Sequence, residues 1–315
     1  MPVEIPAAIR TRIAQIQADN RSGAVALAAH AAEALAAFAR DVVAAAEAGT
    51  ADSRQGFRAS LVEVCRALVA AQPAMASILN VANSALWEAD RAASPTLAPG
   101  AVEAACRAWV ETLRSSGRRI SRHASRLLAG RGAVITHSYS QTVLEALLAA
   151  RETGQGPRVI CTESRPLCEG TAMAKSLAEA GIEVTLVADA AIYAMMAKAE
   201  LAIAGADSVS ARGLVNKTGT SLLALAAREW KRDFYVLCGS EKFLPAGYEP
   251  PPEPPKPPGE IAPPVPNVSI ENFYFDRTPL ELVTGVVTED GVLAREELRQ
   301  CLAGKRLHPA LARGR

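Results

Sequence analysis

The chain has 315 residues, 50% of them hydrophobic and 21% charged, and 34 Lys and Arg against 33 Asp and Glu leave a formal net charge of +1. That balance belongs to a folded globular chain and excludes a disordered one, and the length suffices for one large domain or two ordinary ones. No run of Lys and Arg stands out, which argues against a nucleic-acid footprint, and no apolar stretch reaches the roughly 18 residues of a membrane span.

The N-terminus MPVEIPAAIRTR lacks a basic segment followed by an apolar core, so no secretory signal is expected. Cys65, Cys106, Cys161, Cys168, Cys238 and Cys301 are scattered without a C-x-x-C pair. They are expected to be reduced thiols, mostly buried, in a cytoplasmic protein. Four isolated histidines and no Cys/His cluster predict no metal site, and no cofactor is expected.

Residues 1–128 are predicted to be helix after helix. The stretch 23–48 is Ala-rich with apolar residues at helical spacing, 57–71 continues in the same manner, and a third helix is expected from near Pro73. Pro95 and Pro99 mark a loop, after which a long amphipathic helix is predicted from about Val102 to Leu128. From residue 131 the pattern alternates. Strands are predicted at 133–136, 158–162, 184–189, 201–207, 234–238 and 283–289, with helices at 141–152, 169–180, 190–198 and 217–230 between the first five. Apolar strands alternating with helices imply an α/β fold with a parallel sheet covered on both faces, whose ligands sit beyond the carboxyl ends of the strands. The expected organisation is an N-terminal helical domain over 1–128 and a Rossmann-like domain over 129–315. Within the latter, the stretch 245–266 carries 11 of the 20 prolines and is expected to form a stiff surface insertion.

Polar groups gather at four of these junctions: Thr136-His137-Ser138-Tyr139-Ser140, Thr162-Glu163-Ser164-Arg165-Pro166, Gly205-Ala206-Asp207, and the stretch 211–220, where Asn216, Lys217, Gly219 and Thr220 are predicted to open a helix. Cations near helix starts suit a phosphate-bearing ligand. Singly, Arg165 fits a surface ion pair and Asp207 a turn equally well. Together, at successive strand ends of one sheet, they point to a pocket.

The order THxxS, TESRP with a following MAKxL, VxDAA, GADxV, VNKTGT, FDRTP and VVTEDGVL resembles a single superfamily over about residues 130–303. Its members are the alpha, beta and delta subunits of eukaryotic translation initiation factor 2B and isomerases acting on ribose 1,5-bisphosphate and 5-methylthioribose 1-phosphate. The N-terminal half matches more loosely, through Asn20-Arg21-Ser22-Gly23-Ala24 and the stretch 72–83. The resemblance implies a helical domain followed by a Rossmann-like one, and a homodimer or hexamer.

For the isomerases it implies a cysteine and aspartate as the acid/base pair that moves a proton between C2 and C1 of an aldose 1-phosphate. Asp207 matches the aspartate, but Ser138 stands in the thiol position. A thiol exchanges protons near neutrality; an alkanol does not without a separate base, which His137 is positioned in sequence to supply unless its ring is packed away. Cys168 is the nearest other thiol in strand-end order. Gln72 stands where the bisphosphate isomerases carry a phosphate-holding Arg. Arg21, Gly23, Ala24, His137, Arg165, Asn216 and Lys217 are the residues expected to bind a sugar phosphate or nucleotide. Two functions follow from the resemblance: a sugar-phosphate isomerase with an altered acid/base pair, or a non-catalytic regulatory or assembly subunit of the initiation factor 2B alpha type.

Overall fold

A computed structural model describes residues 5–19, 23–47, 56–154 and 156–312. The chain divides into two compact units. The first comprises Met1–Ser115, Glu241–Pro251 and Ala303–Arg315; the second comprises Ser116–Ser240 and Pro252–Leu302.

The first unit is helical: α1 Ala7–Ala18, α2 Ala24–Glu47, α3 Phe57–Ala71, α4 Ala76–Arg91 and the start of α5, Ala98–Leu128. Helix α1 buries Ile9, Ile13 and Ile16, one stripe at helical spacing. In α2 the buried face is built largely of Ala28, Ala31, Ala32 and Ala39 around Leu35 and Phe38. Small side chains bring its backbone close to α3 and α4, with which it shares a core, and Phe38 stacks on Phe57 with ring centroids 5.5 Å apart. Pro99 falls in the first turn of α5, where its missing N–H costs nothing, so this helix starts earlier than the prolines predict. The Gln72 amide donates to the carbonyls of Ile16 and Asp19 at 3.0 and 3.3 Å, satisfying the end of α1. Residues near the C-terminus belong to the same unit. His308 Nε2 lies 3.0 Å from Asp90 Oδ2, and the same carboxylate accepts both Nε and Nη2 of Arg58. Those bonds hold the Asp90 carboxyl down at about 2.

The second unit carries two sheets. Strands β1 Ala133–Thr136, β2 Arg158–Thr162, β3 Val184–Val187, β4 Leu201–Ala204, β7 Asp233–Leu237, β9 Gly285–Thr288 and β10 Gly291–Ala294 form one sheet in the order β10-β9-β7-β4-β1-β2-β3. All neighbours are parallel except β9 and β10. Between strands run α6 Gln141–Glu152, α7 Glu169–Glu179, α8 Ile192–Met196 and α9 Thr220–Glu229, and α10 Arg295–Gly304 follows β10. The end of α5 and helices α6 and α7 share a core with Val134, Val159, Leu201 and Ile203, while α9 packs on β4 and β7. β1 and β4 are buried throughout, as a strand covered on both faces must be.

The chain builds outward from β1 through β2 to β3, then crosses back to lay β4 on the other side of β1. The strand order therefore reverses at β1 and β4, and in an open α/β sheet the carboxyl ends at such a reversal are the general place for a ligand.

The smaller sheet, β5 Ser208–Ser210, β6 Gly213–Lys217 and β8 Phe275–Thr278 in the order β5-β6-β8, is antiparallel and did not emerge from the sequence. It corrects one expectation: Asn216 and Lys217 end strand β6 instead of opening a helix, and α9 begins at Thr220. The cause is pairing across the Pro-rich stretch, Asn216 against Asp276 and Lys217 against Phe275. Gly213 (φ +129°) is required at the turn, since a Cβ there would lie 2.5 Å from the Thr278 carbonyl oxygen.

Candidate functional site

Three loops meet beyond the carboxyl ends of β1 and β4. The first leaves β1 through His137, Ser138 and Tyr139 to Ser140, whose hydroxyl caps α6 by accepting from the Val143 N–H. Ser138 takes a left-handed backbone conformation (φ 67°), uncommon for a residue with a Cβ, and its N–H donates to Ser164 Oγ at 2.7 Å. The second loop leaves β4 through Gly205 and Ala206 to Asp207. A Cβ on Gly205 would stand 2.6 Å from Ser140 Oγ, so these two loops are in direct contact and only glycine permits it. Ser138 and Asp207 thus flank the point where the strand order reverses. The Asp207 N–H donates to the Val215 carbonyl at 2.9 Å, tying this loop to β6.

The third loop, Lys217 to Thr220, lies against His137. The ring is fully enclosed: Nε2 lies 2.7 Å from the Thr218 carbonyl oxygen, which can only accept, so Nε2 carries the proton. Nδ1, 2.6 Å from Thr162 Oγ1, then accepts from that hydroxyl. Burial pushes the imidazole pKa below its ordinary value, and the nearby Thr218 carbonyl and Asp189 oppose this only in part. With both nitrogens engaged and no path to solvent, His137 pins the NKTGT turn to β1 and β2.

Asp189, just past β3, accepts the backbone N–H groups of Ser164 and Arg165, each at 2.7 Å. It thereby fixes the hydroxyl that receives the Ser138 N–H. Arg165 itself is exposed and turns its Nη2 to the carbonyl oxygens of Glu260 and Ile261, both at 3.2 Å. It anchors the Pro-rich stretch, whose Glu260 carboxylate also accepts from the Tyr274 hydroxyl at 2.7 Å. Glu253 accepts the N–H groups of Tyr274 and Phe275.

Asn216 Nδ2 donates to Thr220 Oγ1 at 2.9 Å. Lys217 is buried, its Nζ 2.5 Å from Glu169 Oε1 and 4.8 Å from the centre of the Tyr274 ring. The start of α9 is occupied by a carboxylate of the chain: Asp276 accepts from the N–H groups of Gly219 and Ser221 at 2.8 and 3.2 Å, and from the Ser221 hydroxyl at 2.7 Å. Asp276 thereby stands where a bound anion would otherwise satisfy the helix.

His137, Ser138, Asp207, Asn216 and Lys217 are therefore gathered at one end of the second unit, while Arg165, in the loop after β2, is turned to the Pro-rich stretch. Gly23 and Ala24 belong to the first unit, at the start of α2, where the Gly23 carbonyl accepts from the Leu27 N–H and that of Ala24 from the Ser77 hydroxyl. Arg21 lies outside the described residues. Cys168 is partly buried at the start of α7, its Sγ 3.8 Å from the Pro166 carbonyl oxygen, while burial pushes the Cys161 thiol up to about 12. Glu169, Asp189 and Asp276 were not singled out by the sequence. Asp276 and Glu169 sit in or beside the FDRTP and TESRP motifs, but a carboxylate's partner is not written in its motif.

The model of the Initiation factor 2 subunit family matches residues 20–295. The chain belongs to that family. Similar members differ in what they are named for. A methylthioribose-1-phosphate isomerase of Syntrophotalea carbinolica is 30% identical over 303 residues, 88% of this chain and 85% of that protein. A ribose 1,5-bisphosphate isomerase of Archaeoglobus fulgidus is 36% identical over 194 residues, 60% of this chain and 61% of that one. The crystal structure of the Pyrococcus horikoshii translation initiation factor eIF-2B superposes with a TM-score of 0.75 at 29% identity, covering 92% of this chain and 98% of that one. The family thus includes proteins named as sugar-phosphate isomerases and proteins named for translation initiation.

Proposed function

We propose that this protein binds a sugar phosphate beyond the carboxyl ends of β1 and β4 and isomerises an aldose 1-phosphate to the ketose, with Asp207 and Ser138 as the acid/base pair. The observation that supports this reading is the contact of the β1 and β4 loops at the point of strand reversal, Gly205 against Ser140, with Ser138 and Asp207 each a few residues beyond the end of its strand. The reaction needs a base to take the C2 proton and return it at C1, and a donor for the ring oxygen as the sugar opens. Asp207 suits the first duty and the Ser138 hydroxyl the second. The hydroxyl is the weaker acid than a thiol, so turnover is expected to be slow.

Ketose formation followed by NMR with ribose 1-phosphate, 5-methylthioribose 1-phosphate and ribose 1,5-bisphosphate tests this. One of them should be converted by the wild type and none by Asp207→Asn. Stabilisation of the fold by a sugar phosphate without conversion would leave the second reading, a binding-only regulatory subunit, which the Ser138 hydroxyl in the thiol position favours. The same proposal has the chain act as a cytoplasmic homo-oligomer, to be checked by light scattering of the purified protein.

A further inference from the structure

The balanced charge of the whole chain hides one uneven stretch. Residues 114–131 hold six arginines (114, 118, 119, 122, 126 and 131) and no Asp, Glu or Lys. In sequence they are diluted by serine, alanine and leucine, but the helix collects them. The second half of α5 buries Ile120, Ala124 and Leu128 in the core shared with Val134 and Leu144. Arg118, Arg122 and Arg126, four residues apart, fall on the opposite face in a row about 12 Å long. All three are exposed.

On other helices a glutamate stands one turn from an arginine and pairs with it, as in Glu63–Arg66, Glu88–Arg91, Glu103–Arg107 and Glu296–Arg299. Beside the row, Arg119 is taken by Asp290 at 2.6 Å, and before it Arg114 by Glu111 at 3.1 Å. The guanidinium groups of Arg118, Arg122 and Arg126 have no ion pair or hydrogen bond among the described residues. Each has another arginine where those helices place glutamate, and like charges at that spacing weaken a helix. The row costs stability and satisfies nothing within the described chain, so its counterpart is an anion outside it.

The surroundings select the anion. No large apolar side chain is exposed anywhere in 114–131. A protein interface needs apolar anchors at its centre, and a helix lying in a membrane surface needs an apolar face to insert, which α5 has already buried. A phosphate backbone needs neither, because guanidinium forks meet its oxygens directly and read no bases.

We propose that Arg118, Arg122 and Arg126 form a docking ridge for the phosphate backbone of a nucleic acid, bound without regard to sequence. The ridge is independent of the sugar-phosphate reading, whose residues lie on the loops beyond β1 and β4.

Fluorescence anisotropy of short labelled duplexes, DNA in one arm and RNA in the other, tests this. Three phosphate contacts release about three counterions, so affinity should fall roughly fortyfold between about 50 and 200 mM salt and be equal for two unrelated sequences. The triple variant Arg118→Gln, Arg122→Gln, Arg126→Gln should lose about tenfold in affinity at low salt and most of the salt dependence. Its melting temperature should hold or rise, since the like-charge pairs are gone, and this separates lost binding from lost folding. Arg91→Gln removes an exposed arginine that is paired with Glu88, and should bind as wild type does. Binding of one duplex alone supports the ridge and names its nucleic acid. Binding of neither overturns the inference, and so does a triple variant that binds as well as wild type. A wild type that prefers anionic lipid vesicles or a polyglutamate peptide to both duplexes overturns it as well.

Discussion

The imidazole of His137 rests against the Cα of Gly219. A Cβ at that glycine would stand 2.8 Å from both Cε1 and Nε2 of the ring, and the residue has φ +105°. The helix α9 begins directly after this contact, so its position on the sheet depends on a residue without a side chain. Gly219→Ala is expected to cost about 1–3 kcal/mol, from strain and displacement of the ring together. Gly56→Ala separates the two effects, because Gly56 has φ +95° and nothing within 4 Å of its would-be Cβ. In urea unfolding, the midpoint should fall further for Gly219→Ala than for Gly56→Ala; equal losses would show that the contact with His137 carries no energy.

The same histidine makes stability depend on pH. Its folded pKa lies below the ordinary value of 6.5 because burial disfavours the charged ring. As pH falls through that value the unfolded chain takes up the proton before the folded one does, and stability drops. The contribution is therefore complete above about pH 7 and is lost on acidification. Melting curves between pH 8 and about pH 5.5 should fall more steeply for wild type than for His137→Gln. Parallel curves would mean that the ring is not held neutral.

Ser138 offers a gain-of-function test. A thiol in that place is far more acidic than the hydroxyl and of similar size. Under the isomerase reading, Ser138→Cys should raise ketose formation by about a hundredfold and make the rate fall at high pH as the thiol loses the proton it donates to the ring oxygen. A variant that folds, binds the sugar as wild type does and still shows no turnover would favour the binding-only reading.

Arg165 links the β2 loop to the Pro-rich stretch through two bonds of 3.2 Å to the Glu260 and Ile261 carbonyl oxygens. Arg165→Ala should leave the melting temperature within a few degrees of wild type, as an exposed residue does. It should speed amide exchange at Glu260, Ile261 and Ala262, whose N–H groups bond only within that turn, by roughly tenfold. Unchanged exchange would show that Glu260 is held by Tyr274 and Asn272 alone.

Local chemistry made much of the second unit legible. The apolar run AVIT became β1 over Ala133–Thr136, RVICT became β2 over Arg158–Thr162, and the helix after Ser140 spans Gln141–Glu152, each as its pattern predicts. These boundaries are set within a few residues of chain: β-branched runs, an N-cap serine, a helical period. The alternation of strand and helix likewise determines the parallel sheet, and it puts Ser138 and Asp207 just beyond strand ends.

Pairing over distance was not legible. Strands β6 and β8 are short, carry Asn216, Lys217, Asp276 and Arg277, and meet only after the Pro-rich stretch has been crossed, so neither looks like a strand alone. The same holds for charge. Lys217 in sequence is a cation near a helix start, and Asp276 a residue in a motif; folding gives the first to Glu169 and the second to the N–H groups of Gly219 and Ser221. His137 shows the division in one residue. Its place beyond β1 follows from the sequence, but its tautomer, burial and contact with Gly219 arise from groups brought in by β2 and the turn after β6. Residue type and local period determine which chemistry the chain carries and on which element. Which of those groups stays available to a ligand is decided by tertiary packing, because a charge is neutralised by whatever the fold brings within a few ångströms of it.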